Sequence, residues 1–359
     1  MTTNSRLTSD PPPTPTARTN SLLLHHHFHS TLYYSRLSPA LRSDSSPSPS
    51  QSNHHPSEQK SRRMKIGGFT LSPGGLLLPY HSGALAALDF HGLLKPQTHI
   101  SGASAGSIAC MAHGCGIPSE KVLEATIQVS DECERQGGAR GRLLPLLKAQ
   151  MDQLIFDQEM QSIRHRPGTV GLAYHEVFPK RQSHIFTQHL LPENEAELSS
   201  IGKNQLITAV SASCSFPFFA TNLPCYFDWE SSSSSSSSSG VSWMPRVLVD
   251  GFFSTPRSRF GCPEIFPAEP SDADHGTATA DGDFLQEVAI IPFPRDSMNI
   301  TAFDDTNCIS YNRPISEIFR LATQATSRAE LTKVYEDGYR DAEDWALSRK
   351  SSGFVARSS

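Results

Sequence analysis

The run His99-Ile100-Ser101-Gly102-Ala103-Ser104-Ala105-Gly106 constrains this 359-residue chain more than any other stretch. It sets Gly-x-Ser-x-Gly between a short strand-like segment and an apolar, helix-compatible segment, Ser107 to His113. A sharp strand-to-helix turn of this kind pushes a serine Oγ out at the top of a sheet, at the positive end of a helix. A serine hydroxyl is a poor nucleophile until it is presented and activated in such a way. Gly102 and Gly106 are the elbow glycines, because side chains there would meet the turn and the adjacent backbone. Five letters alone recur by chance, so the surroundings must carry the reading.

Two other features supply those surroundings. Upstream, a turn Ser72-Pro73-Gly74-Gly75 follows the apolar, strand-like run Ile66 to Leu71. Downstream, Arg246-Val247-Leu248-Val249-Asp250-Gly251 reads as a short strand ending in Asp-Gly. A glycine turn, a serine elbow and a strand-terminal aspartate, in that order, form a coherent reactive site. Each has a plainer reading: Ser104 as an exposed turn serine, and Asp250 as the cap of a strand-end turn.

Residues 1–63 are rich in Ser, Thr, Pro and His, carry Arg6, Arg18, Arg36 and Arg42, and have three acids, Asp10, Asp44 and Glu58. Such a composition cannot bury a core. It is expected to be a disordered leader, either a transit peptide or a plain one. Histidines after the short Leu22-Leu23-Leu24 core argue against a secretory signal.

An ordered domain is expected over 64–347, with flexible insertions at 231–240 (an uninterrupted serine tract) and 267–283, and a disordered tail at 348–359. Periodicity predicts helices over Tyr80–Leu94, Lys121–Val129, Arg140–Glu159 and Ile315–Leu347. It predicts strands over Gly168–Phe178, Gln205–Val210 and Glu287–Ile291. Strands alternating with helices imply an α/β layered domain.

Composition narrows the function classes. A net charge of −5 gives no case for a nucleic-acid partner. Seven cysteines without CxxC spacing indicate neither a zinc site nor a disulfide framework. They fit reduced thiols in an intracellular compartment. No apolar run approaches the length of a spanning helix, which leaves peripheral contact with lipid open. The His25-His26-His27 and His54-His55 clusters lie in the leader and are read as incidental, so no metal or cofactor is expected.

Ser72-Pro-Gly-Gly-Leu-Leu-Leu-Pro-Tyr-His-Ser-Gly83, then Gly102-Ala-Ser-Ala-Gly106, then Asp250-Gly251 together resemble the patatin-like phospholipases. Ala209-Val-Ser-Ala-Ser-Cys-Ser-Phe-Pro-Phe-Phe219 resembles a further block of that family, and Tyr80-His81 is closest to its adipose-triglyceride-lipase-like branch. The resemblance implies a three-layer α/β sandwich with a mostly parallel central sheet. It implies a Ser–Asp dyad without histidine: Ser104 attacks an ester carbonyl, Asp250 takes its proton, and an acyl-enzyme forms and is hydrolysed. Backbone N–H groups of Gly74, Gly75 and Leu76 would form the oxyanion hole. The implied substrate is triacylglycerol or glycerophospholipid, met at a membrane or lipid-droplet surface, in the cytoplasm or, if the leader is a transit peptide, in a plastid or mitochondrion. The chain departs from the family pattern at Pro73, Leu78 and Pro79 in the glycine loop and at Phe252 after Asp250-Gly251.

Two competitors remain. A Ser-His-acid triad would run Ser, acid, His along the chain, and His275 is the sole histidine after Asp250. A catalytically impaired lipid-binding scaffold of the same fold is the other. Some of Leu76 to Pro79 are candidates to line an entrance for acyl chains, against a plain core role.

Overall fold

The computed structural model describes residues 64–229, 245–265 and 284–351. The expected leader, both insertions and 352–359 of the expected tail lie outside these described residues, whereas 348–351, expected to be disordered, continue the last helix.

The chain enters on β1 (Met64–Leu71) and turns at the glycine loop into a 3-10 turn, Gly75–Leu77, and α1 (Leu78–Phe90). Pro79 sits in the first turn of α1, where its missing N–H costs nothing. The elbow follows as β2 (His99–Ala103) and α2 (Ala105–Gly114), then α3 (Ser119–Arg135), α4 (Leu143–Leu154) and α5 (Asp157–Arg164). Then come β3 (Val170–Phe178), β4 (Gln182–Thr187), the single turn α6 (Glu195–Glu197), α7 (Lys203–Ser213), β5 (Tyr226–Asp228) and β6 (Arg246–Val249). The chain closes with β7 (Phe284–Ile291), β8 (Cys308–Ser310), α8 (Ile315–Thr323) and α9 (Arg328–Ser351).

These strands form one sheet in the order β5-β6-β3-β2-β1-β7-β8, with β4 also paired to β3. From β3 to β8 all pairs are parallel, and β4, β5 and β6 join antiparallel. The fold is therefore the expected α/β sheet flanked by helices, a mixed sheet that is parallel from β3 to β8. Phe69, Leu71, Ile100 and Leu172 from the central strands are fully buried beneath the helices.

α1 and α9 approach closely because each offers a glycine to the other's backbone. A Cβ on Gly83 would collide with the Tyr335 carbonyl, and one on Gly338 with the Tyr80 carbonyl. Tyr80 Oη donates to Asp341 across this contact at 2.8 Å.

Three expected elements are corrected. Gln205–Val210 lies inside helix α7 rather than in a strand. Its apolar run Leu206, Ile207, Ala209, Val210 is too short for periodicity to separate a buried helix from a strand. The stretch 140–159 breaks at Phe156, whose extended backbone N–H donates to the Glu159 carboxylate at 3.1 Å and starts α5. The stretch 315–347 breaks between α8 and α9. There the Thr326 N–H donates to Ser130 Oγ at 2.7 Å and the Ser130 hydroxyl donates back to the Thr326 carbonyl at 2.8 Å. These bonds satisfy backbone groups that a continuous helix would have paired internally.

Candidate active site

The sheet register explains how residues 146 positions apart in sequence meet. β3 pairs with β2 through its first residues, Ala173 lying opposite Ala103. It pairs with β6 through its last residues, His175 lying opposite Val249. β4 covers the other edge of β3 across this stretch, so β2 and β6 share one edge. β2 runs parallel to β3 and β6 antiparallel, so their C-terminal ends converge head-on beside Ala173–His175. Ser104 is the next residue on one strand and Asp250 the next on the other. Gly251 allows the approach, because a Cβ there would strike the Ala173 carbonyl and crowd Ala103. Arg246 holds β6 in register: its Nε and Nη2 donate to Glu176 Oε2 on β3 at 3.0 and 2.8 Å.

Ser104 occupies φ 52°, ψ −122° at the N-cap of α2. A non-glycine residue in this region costs energy and persists where its surroundings over-determine it. Here they do. The Ser104 N–H donates to Ser213 Oγ at 2.9 Å, and the Ser107 hydroxyl donates to the Ser104 carbonyl at 2.6 Å. A Cβ on Gly102 would overlap the Gly106 carbonyl, and one on Gly106 would press on Leu71, so both elbow glycines serve the expected steric role. Ser104 retains 9% exposure and points from the positive end of α2.

Asp250 is fully buried. Its N–H donates to the Ser215 carbonyl at 3.2 Å, and its Oδ1 accepts the Phe252 N–H at 2.8 Å. Burial pushes the carboxyl up to about 7, partly opposed by the Phe252 amide and the Ser104 hydroxyl. The Ser104 hydroxyl is thus close enough to favour the carboxylate. Oδ2 nevertheless has no hydrogen bond of full geometry among the described residues. A long or poorly aligned contact of this kind does not rule out a catalytic pair, since such bonds often tighten only when substrate binds. The buried Cys214 thiol lies against the same pair and stays protonated, burial and then Asp250 raising it well above its usual value.

The glycine turn is anchored from two sides. The Ser72 N–H donates to the Ile290 carbonyl at 3.1 Å, and His81 Nε2 bonds the Ser72 carbonyl at 2.8 Å. Burial lowers His81 to about 4, so it is neutral at pH 7 and Nε2 carries the proton donated to that carbonyl. His81 therefore braces the loop, as a hydrogen-bonding residue.

Gly75 has φ +56°, and a Cβ there would overlap the Ala322 carbonyl of α8. The first 3-10 hydrogen bond runs from the Leu77 N–H to the Gly74 carbonyl at 3.0 Å. The amides of Gly74, Gly75 and Leu76 precede it and stand among the donors that a helix start leaves without intrahelical partners. Pro73 lies one place earlier and removes none of these three N–H groups. The side chains of Leu76, Leu77, Leu78 and Pro79 are buried, which places them in the core rather than at an entrance.

Phe252 joins a chain of rings that the sequence reading did not find. It lies 6.3 Å from Phe216, 5.4 Å from Phe253 and 5.7 Å from Phe260, centroid to centroid. Phe260 continues to Phe293 at 5.1 Å and Phe293 to Phe319 at 5.8 Å. Phe216, Phe253 and Phe319 are 38, 44 and 40% exposed, so the chain of rings reaches solvent at both ends. The Phe216-Pro-Phe-Phe219 run and Phe252 itself were its visible signals.

His275 and the leader histidines lie outside the described residues. Among the described residues no group of three His, Cys, Asp or Glu is placed to hold a metal ion, and no helix is long and apolar enough to cross a membrane.

An α/β sheet with a strained serine elbow, faced by a buried carboxyl on a converging strand, has the layout of a nucleophile-elbow fold. A family model for patatin-like phospholipases matches residues 69–256, just over half of the chain, and the chain belongs to that family. Among solved structures it is similar to VipD from Legionella pneumophila, at 11% identity and a TM-score of 0.45, covering 79% of this chain and 67% of that one. It is also similar to the heterodimeric ExoU–SpcU complex of the Pseudomonas aeruginosa type III secretion system. That likeness has 13% identity and a TM-score of 0.41, and covers 87% of this chain and 60% of that one. No curated protein sequence matches the chain.

Proposed function

We propose that this protein is a lipid acyl hydrolase that cleaves carboxylic esters through Ser104 and Asp250. Family membership supports the class of activity. The observation that carries the residue assignment is the fully buried Asp250, held at about 7 beside the strained Ser104. A carboxyl of ordinary acidity is a weak base at neutral pH, whereas one near 7 is matched to proton transfer there.

In the proposed cycle, the Asp250 carboxylate takes the Ser104 hydroxyl proton as Oγ bonds to the ester carbonyl carbon. The carbonyl π pair moves to oxygen, where the amides of Gly74, Gly75 and Leu76 receive it. Collapse of this intermediate breaks the bond to the leaving alcohol, which takes the proton from Asp250. Water then repeats the sequence on the acyl-enzyme: Asp250 takes its proton, the Ser104 ester bond breaks, and the proton passes to Oγ. Removing one donor from an oxyanion hole typically costs about 10²–10³ in rate.

The phenylalanine chain around Phe252 favours an apolar acyl group over a small polar ester. Triacylglycerol and glycerophospholipid are the proposed substrates, met at a lipid-droplet or membrane surface. The Tyr80-His81 pair favours the adipose-triglyceride-lipase-like branch. The test is fatty-acid release from triolein and phosphatidylcholine by the full chain and by Ser104→Ala. Release that depends on Ser104 supports the proposal and ranks the two lipids. Equal rates for the two proteins, both folded, overturn it in favour of a lipid-binding scaffold.

A further inference from the structure

Helix α2 begins at the elbow and ends at a cavity. Ser104 caps its N-terminus, and His113 lies in its last turn. Ten helical residues put about 15 Å between the two ends. A cavity of about 510 Å³ opens at the far end, between the C-terminal ends of α1 and α2, the start of α3 and one face of α9. That volume lies within the range of sites for small organic ligands. Neither Ser104 nor Asp250 lines it.

The lining is chemically one-sided. Leu85, Ala112 and Ile117 form an apolar floor, and Tyr335, Tyr339 and Phe90 supply aromatic rings. Two carboxylates, Asp89 and Glu120, stand at the exposed rim. Among the described residues no lysine or arginine lines the cavity. The Tyr335 hydroxyl pairs with Ser119 Oγ at 2.8 Å and also reaches Glu120. These bonds tie the aromatic wall to the acidic rim.

His113 is the one ring nitrogen source in the lining. Burial, with Arg166 adding to it, lowers His113 to about 4. It is therefore neutral at pH 7, adds no positive charge, and offers a nitrogen lone pair as acceptor. Among the described residues its ring has no hydrogen-bond partner.

We propose that this cavity is a second binding site, for a monovalent organic cation that carries an ammonium group on a small apolar body. The carboxylates and ring faces attract the ammonium, and the imidazole accepts one of its hydrogens. The floor buries the apolar body. The two carboxylates repel an anion there, and a neutral analogue loses the charge term.

The test uses the full chain and three probes of equal length: hexylamine, hexan-1-ol and hexanoate. Binding is followed by calorimetry and by the His113 ring signals in NMR, assigned with His113→Gln. Hexylamine is expected to bind and to shift the His113 signals, about tenfold more tightly than hexan-1-ol, with no binding of hexanoate. Asp89→Asn with Glu120→Gln, both at exposed positions, should abolish the preference for the amine. Ser104→Ala should bind hexylamine as wild type does, so the result stands apart from the hydrolase assignment. Equal binding of amine and alcohol, a preference for hexanoate, amine binding unchanged in the double variant, or no amine binding up to about 20 mM would each overturn the proposal.

Discussion

Ser213 Oγ accepts the backbone N–H of Ser104 at 2.9 Å, and two residues later the Ser215 carbonyl accepts the N–H of Asp250 at 3.2 Å. The segment that ends α7 therefore fixes both members of the proposed dyad. Removing the Ser213 hydroxyl leaves a buried N–H unpaired at the most strained residue of the elbow, at a cost of about 1–3 kcal/mol. We expect Ser213→Ala to melt at lower temperature and to lose about ten- to a hundredfold in kcat, because small displacements of a nucleophile are expensive. Ser213→Thr retains the acceptor and should recover most of the rate. Steady-state kinetics beside thermal melts check this; wild-type kcat in Ser213→Ala would show that the clamp does not position Ser104.

If Asp250 is the proposed base, its carboxyl, held up at about 7 by burial, should set the pH dependence of catalysis. The base must be ionised to take the Ser104 proton, so kcat/KM should rise with pH and reach half its plateau near 7. A soluble short-chain ester, measured from pH 5 to 9, gives this profile of the free enzyme. A half-point near 4 would mean that Asp250 ionises freely and is not the group in control.

The same raised carboxyl acts on stability with the opposite sense to an ordinary salt-bridged acid. Its ordinary value is 3.8 and its folded value about 7, so the folded state holds the proton more tightly than the unfolded chain. Between these values the unfolded state ionises first, and stability falls as pH rises, by roughly 4 kcal/mol over the whole window. Asp250→Asn removes this dependence. Its melting temperature relative to wild type should climb steadily from pH 4 to pH 7, while ester hydrolysis is lost. A difference that stays flat with pH would contradict the raised folded value.

The elements of the candidate site were legible in the sequence because each is local. Gly102, Ser104 and Gly106 occupy one turn, and Asp250 follows a four-residue strand. The relationship between them was not legible. It depends on β2 and β6 sharing one edge of β3 in opposite directions, and strand pairing between distant segments leaves no local trace. The misread segment Gln205–Val210 shows the same limit from the other side. Its apolar run is short, and it lies within a helical stretch that already runs without a break from Glu195 through Gly202 into Lys203–Ser213. The Ser213 clamp and the Phe252 ring chain were missed for the same reason, since both are made by tertiary contact.

Gly75 tests the glycine turn. Its φ of +56° disfavours any side chain, and a Cβ would overlap the Ala322 carbonyl. Gly75→Ala must shift the loop or α8. We expect a loss of about 2 kcal/mol or more in stability. The loss of activity should be disproportionate, at least about a hundredfold, because the shifted amides no longer meet the developing oxyanion. Chemical denaturation and ester kinetics on the same preparation separate the two effects. Activity that falls only in step with the folded fraction would remove these amides from the mechanism.

His81 supplies the last prediction, since its burden on stability runs opposite to that of Asp250. Burial lowers the imidazole from 6.5 to about 4, so the unfolded chain takes up a proton that the folded state refuses. Stability is complete above about 6.5 and is lost as pH falls towards 4, by roughly 3 kcal/mol. A glutamine amide can donate to the Ser72 carbonyl from nearly the position of Nε2 and does not titrate. His81→Gln should therefore keep most of the esterase activity at pH 7.5 and show a shallower fall of melting temperature between pH 6.5 and 4. His81→Ala, which leaves the Ser72 carbonyl without its donor, should lose both stability and rate. Equal acid slopes in wild type and His81→Gln would place the acid sensitivity on other groups, His113 first among them, because burial holds it at about the same value.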